Sequence, residues 1–396
     1  MREIELPVPS PEAQSASRAL VARIAQRVRD AGGWIGFDAY MQAALYEPGL
    51  GYYSGGSRKF GAEGDFVTAP ETGPLFADCL ARQCAQWFDH GLPHRVYEFG
   101  AGSGALAARL SSALGELGVH DLEYVIVELS AELQGRQRAA IAAASPSALP
   151  RVRWLRQWPD TMEGVVLGNE LLDAMPVRLF RLLEGRVLER GVALDAAGGP
   201  QWAERAADPR FEQQVREVLA PCVAAAGGEW PADYAGELGE QACAWAAEAA
   251  RRLARGAMLL IDYGFPRAEY YHPQRSQGTL MCHYRHFAHG DPFFWPGLQD
   301  ITAHVDFSAV AQAALAAGLA PLGYTSQANL LLALGILEHA SRIPTDDRVA
   351  YARQSQALLG LISEAEMGEL FKAIAVGRGV PDDALGFSRS DRWGAL

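Results

Sequence analysis

The sequence predicts an α/β fold with a mostly parallel sheet and an antiparallel last strand. Three observations predict it. From residue 76 onward helical and extended patterns alternate, which implies βαβ crossovers. The run Val96-Tyr97-Glu98-Phe99 enters a turn holding Gly100, Gly102 and Gly104 and leaves it through an Ala-rich helical stretch. The chain has 396 residues, beyond the roughly 250 to 300 at which a single core stops growing, so one elaborated domain or two lobes are expected.

The elements follow in order. Residues 1–15 read as a lead. From Ala16 to Asp30, Leu20, Ile24 and Val28 recur at helical spacing with Arg between them, and Gly32-Gly33 ends that helix. Residues 34–75, dense in Gly, Pro, Tyr and Phe, read as an ordered loop. A helix near 76–90, a strand Arg95 to Phe99, a helix over 104–117, a strand Glu123 to Glu128 and a helix over 131–144 come next. Gly164 to Leu167 is an apolar strand ending at Gly168-Asn169-Glu170, and VRLFRLLEGRVLERGVAL (177–194) reads as a hairpin turning near Glu184-Gly185. Residues 210–255 read as Ala-rich helix, followed by a buried strand, Ala257 to Ile261, that ends at Asp262-Tyr263-Gly264. Pro321 to Ser326 and Lys372 to Val376 form a final antiparallel pair, with helices over 328–368 between them.

Charge and cysteine usage narrow the classes. With 35 Lys and Arg against 47 Asp and Glu, the net charge of −12 disfavours nucleic acid and anionic membranes and suits a cationic partner. Five cysteines without a CxxC pair are too sparse for a disulfide framework, so reduced thiols and a cytoplasmic location are expected. Glu3, Glu5 and several prolines near the N-terminus fit neither a secretory signal nor an acid-poor transit peptide. The longest apolar stretch, around Leu330 to Leu337, is shorter than the ~18 to 20 residues of a bilayer span, so no membrane insertion is expected. Cys282, His283, His286 and His289 lack the usual zinc spacing, and no metal is expected.

The glycine turn lets main chain approach a ligand at a helix N-terminus, where a nucleotide-like cofactor would sit. Alone it is ambiguous, because Gly100, Gly102 and Ala105 also satisfy the dinucleotide fingerprint. Glu98 would repel a pyrophosphate, yet it would pair with an ammonium and tolerate a sulfonium. S-adenosyl-L-methionine has both cations and no phosphate. Glu128, ending the next strand, would accept the ribose hydroxyls of either cofactor. The candidate cofactor set is therefore Glu98, Gly100, Ala101, Gly102, Gly104, Glu128 and Leu129, with Asn169. Phe66, Thr68 and Pro70 are expected to close over it and exclude water.

Seven runs, in order GDFVTAPE (64–71), YEFGAGSGALA (97–107), GNELLDAMPV (168–177), IDYG (261–264), GTLMCHYRH (278–286), PGLQDITAHVDF (296–307) and MGELFK (367–372), together resemble the MidA family of methyltransferases, over about residues 35–387. The resemblance implies a Rossmann-like class I methyltransferase sheet and S-adenosyl-L-methionine as cofactor. Through the member that serves respiratory complex I assembly in mitochondria, it also implies methylation of an arginine-bearing segment of a partner protein. Asn169, Glu170 and Asp173 follow the strand that in this fold ends beside the transferable methyl group, and two carboxylates can grip a guanidinium by bidentate hydrogen bonds. They are the catalytic candidates, the alternative being that Asn169 and Asp173 cap a following short helix. Asp262 and Tyr263 are either substrate contacts or a strand-end turn, and His304 with Asp306 reads as a structural pair.

The expected organisation is an N-terminal helix and cofactor-covering loop over 1–75, then a cofactor-binding domain over 76–396. That domain carries a hairpin and helical insertion over about 178–255 and a helical lid over about 327–368. Two other functions stay open: an assembly factor that binds S-adenosyl-L-methionine without turnover, and a nicotinamide-dependent oxidoreductase, which Glu98 disfavours. Oligomeric state is left open.

Overall fold

The computed structural model describes residues 6–55, 68–343 and 346–396. The chain forms two compact units, each assembled from separated stretches. The first comprises the described parts of Met1–Phe66, Asp173–Ala242 and Phe265–Asp306, and the second those of Val67–Leu172, Cys243–Gly264 and Phe307–Leu396. This partition differs from the contiguous one expected from sequence. The region expected as an insertion groups in part with the N-terminal helix, and such long-range grouping leaves no local signal in composition.

The second unit holds the parallel sheet. Its strands are β1 (Arg95–Phe99), β2 (Glu123–Val127), β3 (Val152–Leu155), β4 (Met162–Asn169), β5 (Leu253–Phe265), β6 (Ala320–Ser326) and β7 (Phe371–Arg378). They pair in the order β3-β2-β1-β4-β5-β7-β6. Neighbours from β3 to β5 run parallel, whereas β7 is antiparallel to both β5 and β6. The expected fold class thus holds, including the antiparallel last strand. Strands covered by helices on both faces lose alternation and read as continuous apolar runs, as in Tyr124-Val125-Ile126-Val127 and Ala257-Met258-Leu259-Leu260-Ile261, all buried.

Helices Leu75–Asp89, Ala105–Glu116 and Ala131–Ala144 belong to this unit. The first buries Phe76, Leu80, Gln83, Cys84 and Trp87 at helical spacing, and the third starts at Ser130, whose hydroxyl accepts from Leu133 N at 3.3 Å. The core joins these helices to the sheet through Phe76, Trp87, Leu110, Val165 and Phe371. Emptying the Trp87 or Phe76 site would cost about 3 to 5 kcal/mol.

The first unit contains an antiparallel sheet of Ile35–Gly36, Arg178–Leu183, Arg186–Leu194, Pro200–Ala206 and Asp233–Leu238. The hairpin turns where expected, with φ of 50° at Glu184 and 79° at Gly185, both positive as a two-residue type I′ turn requires. The helix Pro11–Asp30 buries Leu20, Ile24 and Val28. Its N-terminus is capped by Ser10, and Arg27 and Arg29 in its last turn complement the helix dipole.

Several elements depart from the sequence reading. Residues 34–75, read as loop, contain helices Phe37–Tyr46 and Ala69–Thr72. The first carries apolar residues at helical spacing, Phe37, Tyr40, Met41, Ala44 and Leu45, all buried, inside flanks rich in Gly and Pro. Asp233–Leu238 is a strand within the stretch read as helix, and Val152–Leu155 is a sheet strand that drew no expectation. Met281–Tyr284, Phe287–His289 and Asp300–Thr302 form a small sheet of their own. His286 lies in its hairpin turn at a φ of 67°.

Candidate functional site

In an open α/β sheet, ligands gather outside the carboxyl ends of the strands where the order reverses. Here that point lies between β1 and β4. β1 delivers the glycine turn, in which φ is 70° at Gly100, 51° at Gly102 and 86° at Gly104. A Cβ on Gly100 would lie 2.9 Å from Leu171 Cδ1, and one on Gly104 would lie 3.2 Å from Gln137 Cα. Both positions favour glycine by their left-handed conformation, and at Gly104 the Gln137 main chain also leaves little room for a side chain. Gly104 N donates to Ala101 O at 2.7 Å, closing the turn directly before the helix Ala105–Glu116.

Gln137 braces this turn, and nothing in the sequence marked it. Fully buried, it donates from Nε2 to Gly102 O at 3.1 Å and to Glu128 Oε2 at 3.3 Å, while its Oε1 accepts from Trp154 Nε1 at 3.0 Å. One side chain so ties the glycine turn to the acid ending β2. Glu128 Oε1 accepts from Ser130 N at 2.8 Å, and burial pushes its carboxyl above the usual range. Leu129 beside it is 75% exposed, an apolar surface next to a carboxylate at a strand end.

Glu98 lies deeper than the sequence reading supposed. It is 3% exposed, its Oε2 accepts from Tyr124 Oη at 2.8 Å, and burial pushes its carboxyl up to about 7. A carboxyl raised in the folded state opposes folding as pH climbs from its unfolded value to its folded one, and the cost persists above that. Glu98→Gln, which keeps an acceptor for Tyr124, should therefore stabilise the ligand-free protein by on the order of 2 kcal/mol at pH 8 and by almost nothing near pH 4.5, as read from denaturant melts. A melt difference that does not change with pH would contradict it.

At the end of β4, Glu170 adopts a left-handed φ of 49°, uncommon for a residue with a side chain. Its N donates to Ile261 O at 2.9 Å. Its Oε1 accepts from Asn169 Nδ2 at 3.0 Å and from Ala69 N at 3.3 Å. Thr68 and Pro70 accordingly flank the residue that reaches Glu170, Thr68 being the N-cap of the helix Ala69–Thr72 with no capping bond from its side chain. Phe66 lies outside the described residues. Desolvation, followed by the Asp262 carboxylate, pushes Glu170 up to about 8, with Glu71 adding to the rise. Glu71 Oε2 and Asn169 Oδ1 are shielded from water and have no hydrogen-bond partner among the described residues. Glu71 was not singled out from sequence.

The other candidates divide by unit. Asp262, at the end of β5, is 1% exposed and turned toward main chain, its Oδ2 accepting from Leu171 N at 3.0 Å and Leu172 N at 2.7 Å. Tyr263 packs on Phe371 with ring centroids 3.9 Å apart. Asp173 belongs to the first unit, 6% exposed, its carbonyl accepting from Ala303 N at 3.0 Å. In that unit Asp306 is paired with Arg267 at 3.1 Å, and His304 stacks on Phe265.

The family model that matches residues 79–325 is described as "Putative S-adenosyl-L-methionine-dependent methyltransferase". A solved structure from Burkholderia thailandensis, bound to S-adenosyl-homocysteine, is 51% identical with a TM-score of 0.94, covering 99% of this chain and 100% of that one. The mitochondrial protein arginine methyltransferase NDUFAF7 of Mus musculus is 29% identical, over 85% of this chain and 79% of its own length. Its homolog in Drosophila melanogaster is 28% identical, over 78% and 74%. The cytoplasmic location expected from sequence is withdrawn, since these curated relatives are mitochondrial. Reduced, sparse cysteines argue against an oxidising compartment and do not separate the cytosol from an organelle interior.

Proposed function

The chain belongs to this family of S-adenosyl-L-methionine-dependent methyltransferases, and from that premise we propose that it methylates an arginine side chain of a partner protein. Membership sets the nicotinamide alternative aside. When bound, S-adenosyl-L-methionine supplies an electrophilic methyl on a sulfonium. Our reading gives the glycine turn, Glu128 and Leu129 to the nucleoside and leaves Glu98 toward the aminoacyl ammonium, with Thr68 and Pro70 at the cover.

The observation that carries the arginine reading is the acceptor cluster at the end of β4. Glu170 is held in a strained turn, and Glu71 Oε2 and Asn169 Oδ1 are buried acceptors that a cationic N–H donor would satisfy. A guanidinium has five such donors and stays charged at neutral pH, its pKa being ~12 or above. A carboxylate bonded to one of its nitrogens localises charge away from another, whose lone pair then faces the methyl carbon. The N–C bond would form as the S–C bond breaks, leaving a neutral thioether, and the proton lost from the methylated nitrogen would pass to the carboxylate and on to solvent. The net charge of −12 favours approach of a cationic segment, and the arginine activity of the mitochondrial relatives supports the same class. Asp173, in the first unit, is kept as a separate proposal with its own substitution as the test.

The test is transfer of isotope-labelled methyl from S-adenosyl-L-methionine to proteins of cells lacking this enzyme, followed by acid hydrolysis. Methylarginine is expected, and label confined to methyllysine, or released as methanol by mild base before hydrolysis as a carboxyl ester would release it, would overturn the arginine reading. With a substrate identified, kcat/KM should rise with pH and level off above about 8, because Glu170, raised to about 8, must ionise to bind the cation. A flat profile from pH 6 to 9 would remove Glu170 from that role.

A further inference from the structure

Three consecutive amides follow β4 at a point where the chain turns left-handed, and two consecutive residues of β5 receive all three. Glu170 N donates to Ile261 O, while Leu171 N and Leu172 N share Asp262 Oδ2. The other oxygen, Asp262 Oδ1, accepts from Tyr263 N at 2.8 Å. From this geometry we infer that Asp262 is a positioning residue for methyl transfer: its carboxylate grips the 170–172 turn and thereby fixes where Glu170 presents its own carboxylate. The inference rests on the role given to Glu170 above.

A non-glycine residue at positive φ is strained and persists only where its surroundings over-determine it. The surroundings here are specific. A carboxylate 1% exposed is tolerated because main-chain donors satisfy it. Released from Asp262, the turn would relax to an ordinary conformation, and Glu170 Oε1 would leave Ala69 N. The same turn carries Leu171, whose Cδ1 stands 2.9 Å from where a Cβ on Gly100 would be. Asp262 therefore governs two neighbours at once, the substrate-side acid and the apolar residue abutting the cofactor turn.

Charge gives Asp262 a second effect on Glu170, which a purely mechanical brace would lack. Among the described residues, Glu71 on the helix Ala69–Thr72 acts on Glu170, and Lys372 on β7 lies across from Asp262. Lys372 is the cross-strand partner of Asp262, 2% exposed, with its Nζ donating to Glu369 O and 3.7 Å from Glu369 Oε1. Asp262 and Glu71 both disfavour ionisation of Glu170. Removing the Asp262 charge while keeping an acceptor oxygen should make Glu170 easier to ionise.

The experiment compares full-length wild-type protein with Asp262→Asn and Asp262→Ala. Carbon-13 carboxyl NMR follows glutamate titration, the Glu170 signal being the one lost in Glu170→Gln, and calorimetry measures affinity for S-adenosyl-homocysteine. In Asp262→Asn, which retains an oxygen for the two leucine amides, the Glu170 titration should move to lower pH by about one pH unit or more. In Asp262→Ala, S-adenosyl-homocysteine affinity should fall about tenfold as Leu171 shifts beside Gly100. An unmoved Glu170 titration in Asp262→Asn overturns the inference, as does wild-type affinity in a folded Asp262→Ala. If Asp262→Ala does not fold, the Asp262→Asn titration decides. Neither readout requires a methyl acceptor. A Glu170→Gln enzyme with normal turnover would therefore sink the functional reading while leaving the titration result intact.

Discussion

Glu170→Gln should lower methyl transfer by about a hundredfold or more while leaving S-adenosyl-homocysteine affinity nearly unchanged. The substitution keeps the shape and the acceptor oxygen for Asn169 and Ala69 but removes the charge a guanidinium would meet. The displacement itself is simple, so much of the rate comes from holding the nucleophilic nitrogen about 3 Å from the methyl carbon and in line with the leaving sulfur. Loss of the acid costs that alignment and the localisation of charge, both of which matter more in the transition state than in cofactor binding. Gln also lacks the like charge that opposes Asp262, so the variant should not be less stable than wild type at pH 8. Asp173→Asn is the companion, and the account expects a loss of rate there as well. Should both variants keep wild-type rates, the two acids are structural, and the group that orients the substrate lies elsewhere.

Gly102→Val should abolish measurable S-adenosyl-homocysteine binding, a loss of more than about a hundredfold by calorimetry. Gly102 has a φ of 51°, and a β-branched residue there is a conformational outlier. Its carbonyl is also one of the two groups that Gln137 Nε2 holds. Pushing residue 102 toward negative φ would therefore swing the turn, break that bond and withdraw the main chain from the ligand at the helix N-terminus. Gly102→Ala should fall between the two, since its single methyl tolerates the left-handed region better. Unaltered affinity in Gly102→Val would place the cofactor away from this turn.

The sheet was legible because parallel strands covered on both faces must be apolar along their whole length, and Tyr124 to Val127 or Ala257 to Ile261 have no competing period. The glycine turn was legible as a turn because Gly100, Gly102 and Gly104 follow a strand and precede an Ala-rich helix, although its spacing alone did not separate one nucleotide-like cofactor from another. Gln137 was not, since a glutamine inside an Ala-rich helix carries no pattern, and its three hydrogen bonds arise only when the helix Ala131–Ala144 docks beside Glu128 and Gly102. The acids at the end of β4 illustrate the same limit. Sequence proximity suggested Asp173 as the neighbour of Glu170, whereas beside the adjacent Asn169 the groups acting on Glu170 are Ala69, Glu71 and Asp262, distant in sequence. Phe37–Tyr46 was hidden by the Gly and Pro on either side, although its own apolar spacing was helical.

The most direct test of the account is quantitative peptide mass spectrometry on cells carrying wild-type enzyme, Gly102→Val, Glu170→Gln or no enzyme at all. One that cannot hold the cofactor and one that cannot orient the guanidinium should lose the same mark for different reasons. The account predicts a methylarginine peptide present with wild type and absent, or nearly so, in the other three. Retention of every methylarginine peptide in cells without the enzyme, or loss of a methyl mark on a different residue type, would contradict it.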